Sequence, residues 1–397
     1  MNMNEQMDHA EQNILHTYNR FPVVFDHGQG VRLYDTAGKE YLDFAAGIAV
    51  NALGYHYPGY DEALKAQIDK LTHISNLYYN EPIIRAGEKL VKASTMDKVF
   101  FMNSGTEAIE GALKAAKKYA YNRDGHAGHE IIAMEQSFHG RSIGALSVTG
   151  NAHYREPFEP LMGGVRFAAF NDLDSVKALV NEKTCAVIIE TIQGEGGIYP
   201  ATEEFLTGLR RLCDEKDIVL IFDEIQCGMG RSGEYFAWQN YGVRPDIMTS
   251  AKALGCGVPV GAFALNEKLG ANSLAPGDHG TTYGGNPFVC AAVSAVFDIY
   301  ERDNILEHVR ETTPYLVRKL DELAQASPYV SARRGMGFMQ GLVITGMKVG
   351  EVTKAALEKG LLVISAGSDV LRIVPPLVIR REDIDQMTEI LRTILVP

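Results

Sequence analysis

The stretch Ile218-Val219-Leu220-Ile221-Phe222-Asp223-Glu224-Ile225-Gln226 decides the reading of this chain. Five apolar residues in a row, with no alternation of polar positions, predict a strand buried on both faces, over 218–222. The run ends on an acid. The same design recurs upstream: Val99-Phe100-Phe101-Met102, Glu130-Ile131-Ile132-Ala133-Met134 and Cys185-Ala186-Val187-Ile188-Ile189-Glu190 are each apolar and each followed by a loop. Helical stretches separate them, over Glu107 to Tyr121 and around Glu203 to Lys216. Strands alternating with helices predict an α/β fold with a mostly parallel central sheet covered by helices. In such sheets the loops beyond the strand ends form the ligand crevice. Ser104-Gly105-Thr106, Ser137-Phe138-His139-Gly140-Arg141, Gln193-Gly194-Glu195-Gly196-Gly197 and Asp223 to Gln226 all occupy that position, so one convergent site is expected.

At 397 residues the chain exceeds what one small core organises, so a large and a smaller unit are expected. The N-terminal stretch from Phe21 to Phe44 alternates like strands and turns at Thr36-Ala37-Gly38-Lys39. From Pro287 a long helix leads to short strands near 341–344, 361–364 and 371–374, the pattern of an α+β unit. The expected division is an N-terminal segment 1–60 packing with the small domain, a large domain 61–286 and a C-terminal domain 287–397. Apolar residues at 46%, charged residues at 22% and a net charge of −12 describe a soluble protein without a nucleic-acid or anionic-membrane partner. No apolar run reaches membrane-spanning length, and Met1 to Thr17 lacks the apolar core of a signal peptide. The five cysteines have no C-x-x-C spacing, which suits reduced thiols in a cytoplasm and gives no metal site.

Chemistry concentrates in a few positions. Lys252, in Thr249-Ser250-Ala251-Lys252-Ala253-Leu254-Gly255, is a lone lysine among small and apolar neighbours. Burial there disfavours the ammonium and leaves a nucleophilic amine; the plainer reading is an exposed helix lysine. Asp223 closes a buried strand and either caps the following turn or holds a cationic ring nitrogen. A lysine and an acid so placed suit pyridoxal phosphate, which needs both. Ser104-Gly105-Thr106 at a strand-to-helix turn favours a phosphate, or is an ordinary helix cap. The hydroxyl-rich loop His279 to Pro287 adds a contact or is a surface turn. Phe138 offers a flat face to an aromatic cofactor, or fills a core. Arg141 and Arg372, the latter within an apolar run, can grip carboxylates. Glu195 either screens Arg372 until a diacid arrives or pairs with it permanently.

Together, in this order, these motifs resemble the class III, or omega, aminotransferases of the fold-type I pyridoxal phosphate family, over roughly Phe21 to Ile394. The stretches Asp43 to Gly54 and Ser75 to Pro82 are similar to the branch acting on N2-acetyl-L-ornithine. A tyrosine typical of enzymes for free ornithine is replaced by Ile48. The resemblance implies Gly105 and Thr106 on the cofactor phosphate, Phe138 on its ring, Asp223 at the pyridine nitrogen and Gln226 near the ring hydroxyl. Lys252 would be the covalent attachment. Thr282 would reach the neighbouring subunit's cofactor, making a homodimer necessary. Arg141, Thr281, Glu195 and Arg372 would hold the substrates, with 2-oxoglutarate as the acceptor. The implied reaction yields N-acetylglutamate 5-semialdehyde and glutamate, in arginine synthesis; succinylornithine, succinyl-diaminopimelate, 4-aminobutyrate or ornithine are the alternative amines. Tyr55 and Tyr57 depart from the family, which usually has histidines there. Ser142, Thr281 and Cys256 are further departures. An aminomutase or decarboxylase on the same fold is a poorer reading, since the Arg372–Glu195 gate suits a site alternating two substrates, which a decarboxylase does not need; a non-catalytic protein would not need Lys252 with Asp223. A nicotinamide enzyme lacks its glycine fingerprint, since Gly28-Gln29-Gly30 has no third glycine.

Overall fold

The computed structural model describes residues 2–397; Met1, the first residue of the expected N-terminal segment, lies outside them. A seven-stranded sheet forms the centre. We number its strands in chain order: β1 (Lys98–Met102), β2 (Glu130–Met134), β3 (Val165–Ala168), β4 (Thr184–Glu190), β5 (Val219–Asp223), β6 (Ile247–Ala251) and β7 (Gly261–Leu265). Their order across the sheet is β1-β7-β6-β5-β4-β2-β3. Only β7 runs antiparallel to its neighbours, so the expectation of a mostly parallel sheet holds. All seven residues of β4 and all five of β5 are buried, which explains their unbroken apolar runs. Each fully buried isoleucine or leucine contributes about 1.5–3 kcal/mol.

Helix α1 (Gly105–Asp124) leaves the end of β1 and lies on the sheet. Its close approach depends on Gly111: a Cβ there would stand 2.3 Å from the Phe263 ring on β7. Parallel register brings the strand ends to one level. Asp223 is paired with Glu190 on one side and with Thr249 on the other. The loops after β1, β2, β4, β5 and β6 therefore open at the same edge.

A second, four-stranded sheet comprises Val330–Met336, Met339–Ile344, Val370–Ile373 and Ile364–Ala366. The N-terminal alternation forms three antiparallel strands, Phe25–Gln29, Arg32–Asp35 and Glu40–Asp43. The last of these pairs in parallel with Leu361–Leu362, near the other end of the chain. The helix Pro287–Arg302 packs against the helices Tyr60–Ile68 and Glu81–Ser94. A helix over Met3–Asn13, capped by Asn2, precedes the strands and was not foreseen in the sequence. No helix among the described residues is long and apolar enough to cross a membrane.

Candidate active site

A cavity of about 500 Å³ opens at the strand ends. Its walls include Gly105, Thr106, Phe138, Arg141, Asp223, Gln226 and Lys252, seven of the residues singled out in the sequence. Ser104 caps α1, its hydroxyl accepting from the Glu107 amide at 3.3 Å, so Gly105 and Thr106 form the first helical turn. Glycine is required nearby. A Cβ on Gly140, whose φ is +138°, would lie 2.4 Å from Thr106 Oγ1, and one on Gly261 would lie 2.0 Å from the Ser104 carbonyl oxygen. Thr106 Oγ1 is 2.7 Å from Ser142 Oγ and accepts from the Ser142 amide at 3.2 Å.

Asp223 is buried and accepts from Thr249 Oγ1 at 3.2 Å and from the Ile225 amide at 3.0 Å. Its other oxygen is 2.7 Å from His139 Nδ1. Sequence alone assigns His139 no role; its Nε2 is buried without a partner among the described residues. Beside them stands Glu190, also unassigned from sequence. It accepts from the amides of Phe138 and Gly194, both at 2.9 Å. Burial, aided by Asp223, pushes its carboxyl up to about 7 against the opposing pull of His139 and the two amides. An acid at a strand end was legible for both Asp223 and Glu190, but sequence gave no reason to distinguish their neighbours.

Lys252 follows β6 directly, half-buried, with φ at +50°. A residue bearing a Cβ persists in that region only when its surroundings impose it. Burial lowers the lysine to about 8, with Glu195 opposing and Arg372 assisting the fall. The Phe138 and Tyr154 rings stand nearly perpendicular, 6.0 Å between centroids, and the Arg141 guanidinium lies 4.1 Å from the Tyr154 centroid.

Arg372 is buried in the second sheet and meets Glu195 through both terminal nitrogens, one of them at 3.2 Å from Glu195 Oε2. It also donates to Gln226 Oε1 at 3.0 Å and to the Ser365 carbonyl at 3.1 Å. Burial raises the Glu195 pKa; Arg372, Lys252 and Gln226 outweigh it, and the carboxyl sits below its ordinary range. Gln226 thus connects the arginine to the cavity wall. Four expected residues stand outside that wall: Arg372 and Glu195, both joined to it through Gln226, and Thr281 and Thr282. Thr281 accepts from Asn103 Nδ2 at 3.2 Å, one residue before the helix cap, and Thr282 is exposed.

The sheet order, the lysine after β6 and the acid at the end of β5 define a fold-type I pyridoxal-phosphate-dependent transferase. The chain belongs to the class III aminotransferases: the family model "Aminotransferase class-III" matches residues 14–395. It is 48% identical to the acetylornithine aminotransferase of Clostridium acetobutylicum over 374 residues, 94% of this chain and 96% of that protein. It is 45% identical to the one from Methanocaldococcus jannaschii, over 98% of this chain and 97% of the relative. Among solved structures, the ornithine aminotransferase from Toxoplasma gondii ME49 superposes with a TM-score of 0.94 at 28% identity, covering 99% of this chain and 94% of that one. The acetylornithine aminotransferase from Elizabethkingia anophelis gives 0.88 at 29% identity, covering 100% and 99%.

The cofactor of this family is pyridoxal phosphate, and the cavity fits it. A helix N-terminus walled by residues that leave no room for a Cβ at Gly140 suits a dianion. A buried carboxylate held by His139 and Thr249 suits a cationic ring nitrogen, and an amine of lowered basicity suits an aldehyde.

Proposed function

We propose that the protein transfers the terminal amino group of N2-acetyl-L-ornithine to 2-oxoglutarate, giving N-acetylglutamate 5-semialdehyde and glutamate, in arginine biosynthesis. The observation that carries this reading is the buried Arg372, paired with Glu195 and joined through Gln226 to the cavity that holds Lys252. A site that alternates two substrates must hold a carboxylate in one half-reaction and hide its arginine in the other. Glu195 supplies the hiding partner, and a dicarboxylic keto acid supplies the replacement. The names and coverage of the curated relatives support the acetylated donor.

Gly105 and Thr106 would hold the cofactor phosphate, Phe138 its ring face, Asp223 its pyridine nitrogen and Gln226 its ring hydroxyl. When bound, pyridoxal phosphate supplies an aldehyde for the amino group and a ring that takes up the electron pair left on the substrate carbon. Lys252 would be its attachment and, once displaced by substrate, the base that carries a proton from the substrate carbon. His139 would keep Asp223 oriented. Arg141 and Thr281 would contact substrate. We further propose a cytoplasmic homodimer in which the exposed Thr282 of one subunit completes the partner's phosphate site, with units 1–60, 61–286 and 287–397.

The test is a visible spectrum of purified protein with cofactor, before and after N2-acetyl-L-ornithine without keto acid, followed by glutamate production when 2-oxoglutarate is added. Conversion of the yellow form and formation of glutamate are expected. A yellow protein that ignores this donor refutes the substrate. The 0.94 structural match to an ornithine aminotransferase makes free ornithine the second donor to try.

A further inference from the structure

The segment Ala46–Ala49 runs through four consecutive left-handed residues, with φ of 48°, 62°, 64° and 61°. Three of the four carry a Cβ. The turn is hydrogen-bonded like a helix of the wrong hand, from the Ala49 amide to Ala45 O at 3.0 Å and from the Val50 amide to Ala46 O at 2.7 Å. L-residues disfavour this conformation, so the surroundings must hold it.

What holds it is a small, partly buried network around the buried Asp43. Asp43 Oδ1 accepts from the amides of Ala45 and Ala46 at 2.9 and 2.8 Å, at the entrance of the turn. Asp43 Oδ2 accepts from the Tyr55 hydroxyl at 2.8 Å. The same hydroxyl accepts from Asn51 Nδ2 at 3.3 Å, just past the exit. Tyr55 therefore ties the two ends of the turn together. Its own place is fixed: its backbone pairs with Gly30 in both directions, and a Cβ on Gly28 would lie 2.5 Å from its ring. On the far side, Val50 forms part of the cavity wall, and Asn51 Oδ1 would lie 3.3 Å from a Cβ built on Gly257, another wall residue.

We infer that Tyr55 is a positioning residue which, through Asp43 and Asn51, holds the left-handed turn and so sets the wall that selects the amine donor. The selectivity half of this inference rests on the donor-site reading above; the holding half does not.

Tyr55→Phe removes the hydroxyl and keeps the ring, so the fold is retained. Hydrogen exchange in the cofactor-free variant is expected to quicken at least tenfold in peptides covering 44–52 and to stay unchanged in the central sheet. With cofactor present, kcat/KM for N2-acetyl-L-ornithine is expected to fall about tenfold. The preference over ornithine and succinylornithine should narrow. The 2-oxoglutarate half-reaction should stay within twofold. Unchanged exchange over 44–52 overturns the holding role. Equal losses in both half-reactions, or donor ratios that do not move, overturn the selectivity role. Native protein inactive on all three donors would sink the substrate reading and the selectivity role with it, while the exchange result would still decide what Tyr55 holds.

Discussion

Replacing Glu195 by glutamine tests the gate at the level of single bonds. The shape is kept, but the charge and one of the two carboxylate acceptors facing Arg372 are lost. A hydrogen bond to a charged group contributes about 1.5–3 kcal/mol. The Glu195 side chain is 26% exposed against 3% for Arg372, so solvent screening favours the lower end, about 1.5 kcal/mol. That is close to a factor of ten in an equilibrium constant. A keto acid displaces Glu195 to reach Arg372, so the KM for 2-oxoglutarate should drop about tenfold in Glu195→Gln. The amine donor meets an arginine no longer hidden, so its kcat/KM should fall by a similar factor. Measuring the two half-reactions separately, by the absorbance of the bound cofactor, gives both numbers. Stability follows the same pair. A carboxyl held below its ordinary range in the folded state stabilises above its unfolded pKa and loses that contribution as pH falls through the folded value. The variant should lack this acid-side loss. A folded Glu195→Gln protein whose KM for 2-oxoglutarate is unchanged or higher would refute the gate.

Lys252→Ala should lower transamination by at least about 10⁴-fold with unchanged melting, since it removes both the attachment and the base; unfolding of the variant would mean the lysine is structural. Native cofactor-free protein should gain stability as pH rises from about 8 toward the ordinary lysine value. In that window the unfolded chain binds the proton that folded Lys252 has lost, and denaturant titrations of Lys252→Met should show the gain removed. Gly140→Ala forces a Cβ to within 2.4 Å of Thr106 Oγ1, so cofactor affinity, read by fluorescence titration, should fall about tenfold or more.

Four of the seven central strands were legible because burial on both faces leaves no polar positions: β2 is predicted to the residue, and β1, β4 and β5 to within one, whereas β3 and β6 were not read as strands. The convergence of loops followed from parallel pairing alone. Other features depend on distant pairing or on backbone geometry. Nothing in Gly261-Ala262-Phe263-Ala264-Leu265 announces an antiparallel strand between two parallel ones. His139 stands in a quoted motif, yet its bond to Asp223 joins residues 84 apart and exists only once β2 and β5 are in register with the strand between them. The left-handed turn was invisible because Ala-Gly-Ile-Ala carries one glycine where four residues take positive φ. Its cause lies in Asp43 and Tyr55, outside the turn itself.

The pairing of Glu40–Asp43 with Leu361–Leu362 has a consequence during synthesis. The ribosome emits the first partner about 320 residues before the second. At 5–20 residues per second the early strand waits roughly 15–65 s for its neighbour. During that interval its outer edge is an open template for other nascent chains. The chain on either side of the left-handed turn waits as well, since the Phe44 amide donates to the Leu362 carbonyl and the Leu377 amide to the Ala52 carbonyl. That side of the cavity is therefore among the last parts of the molecule to be completed, and a chain truncated before residue 361 would lack the strand with which Leu42 and Asp43 pair.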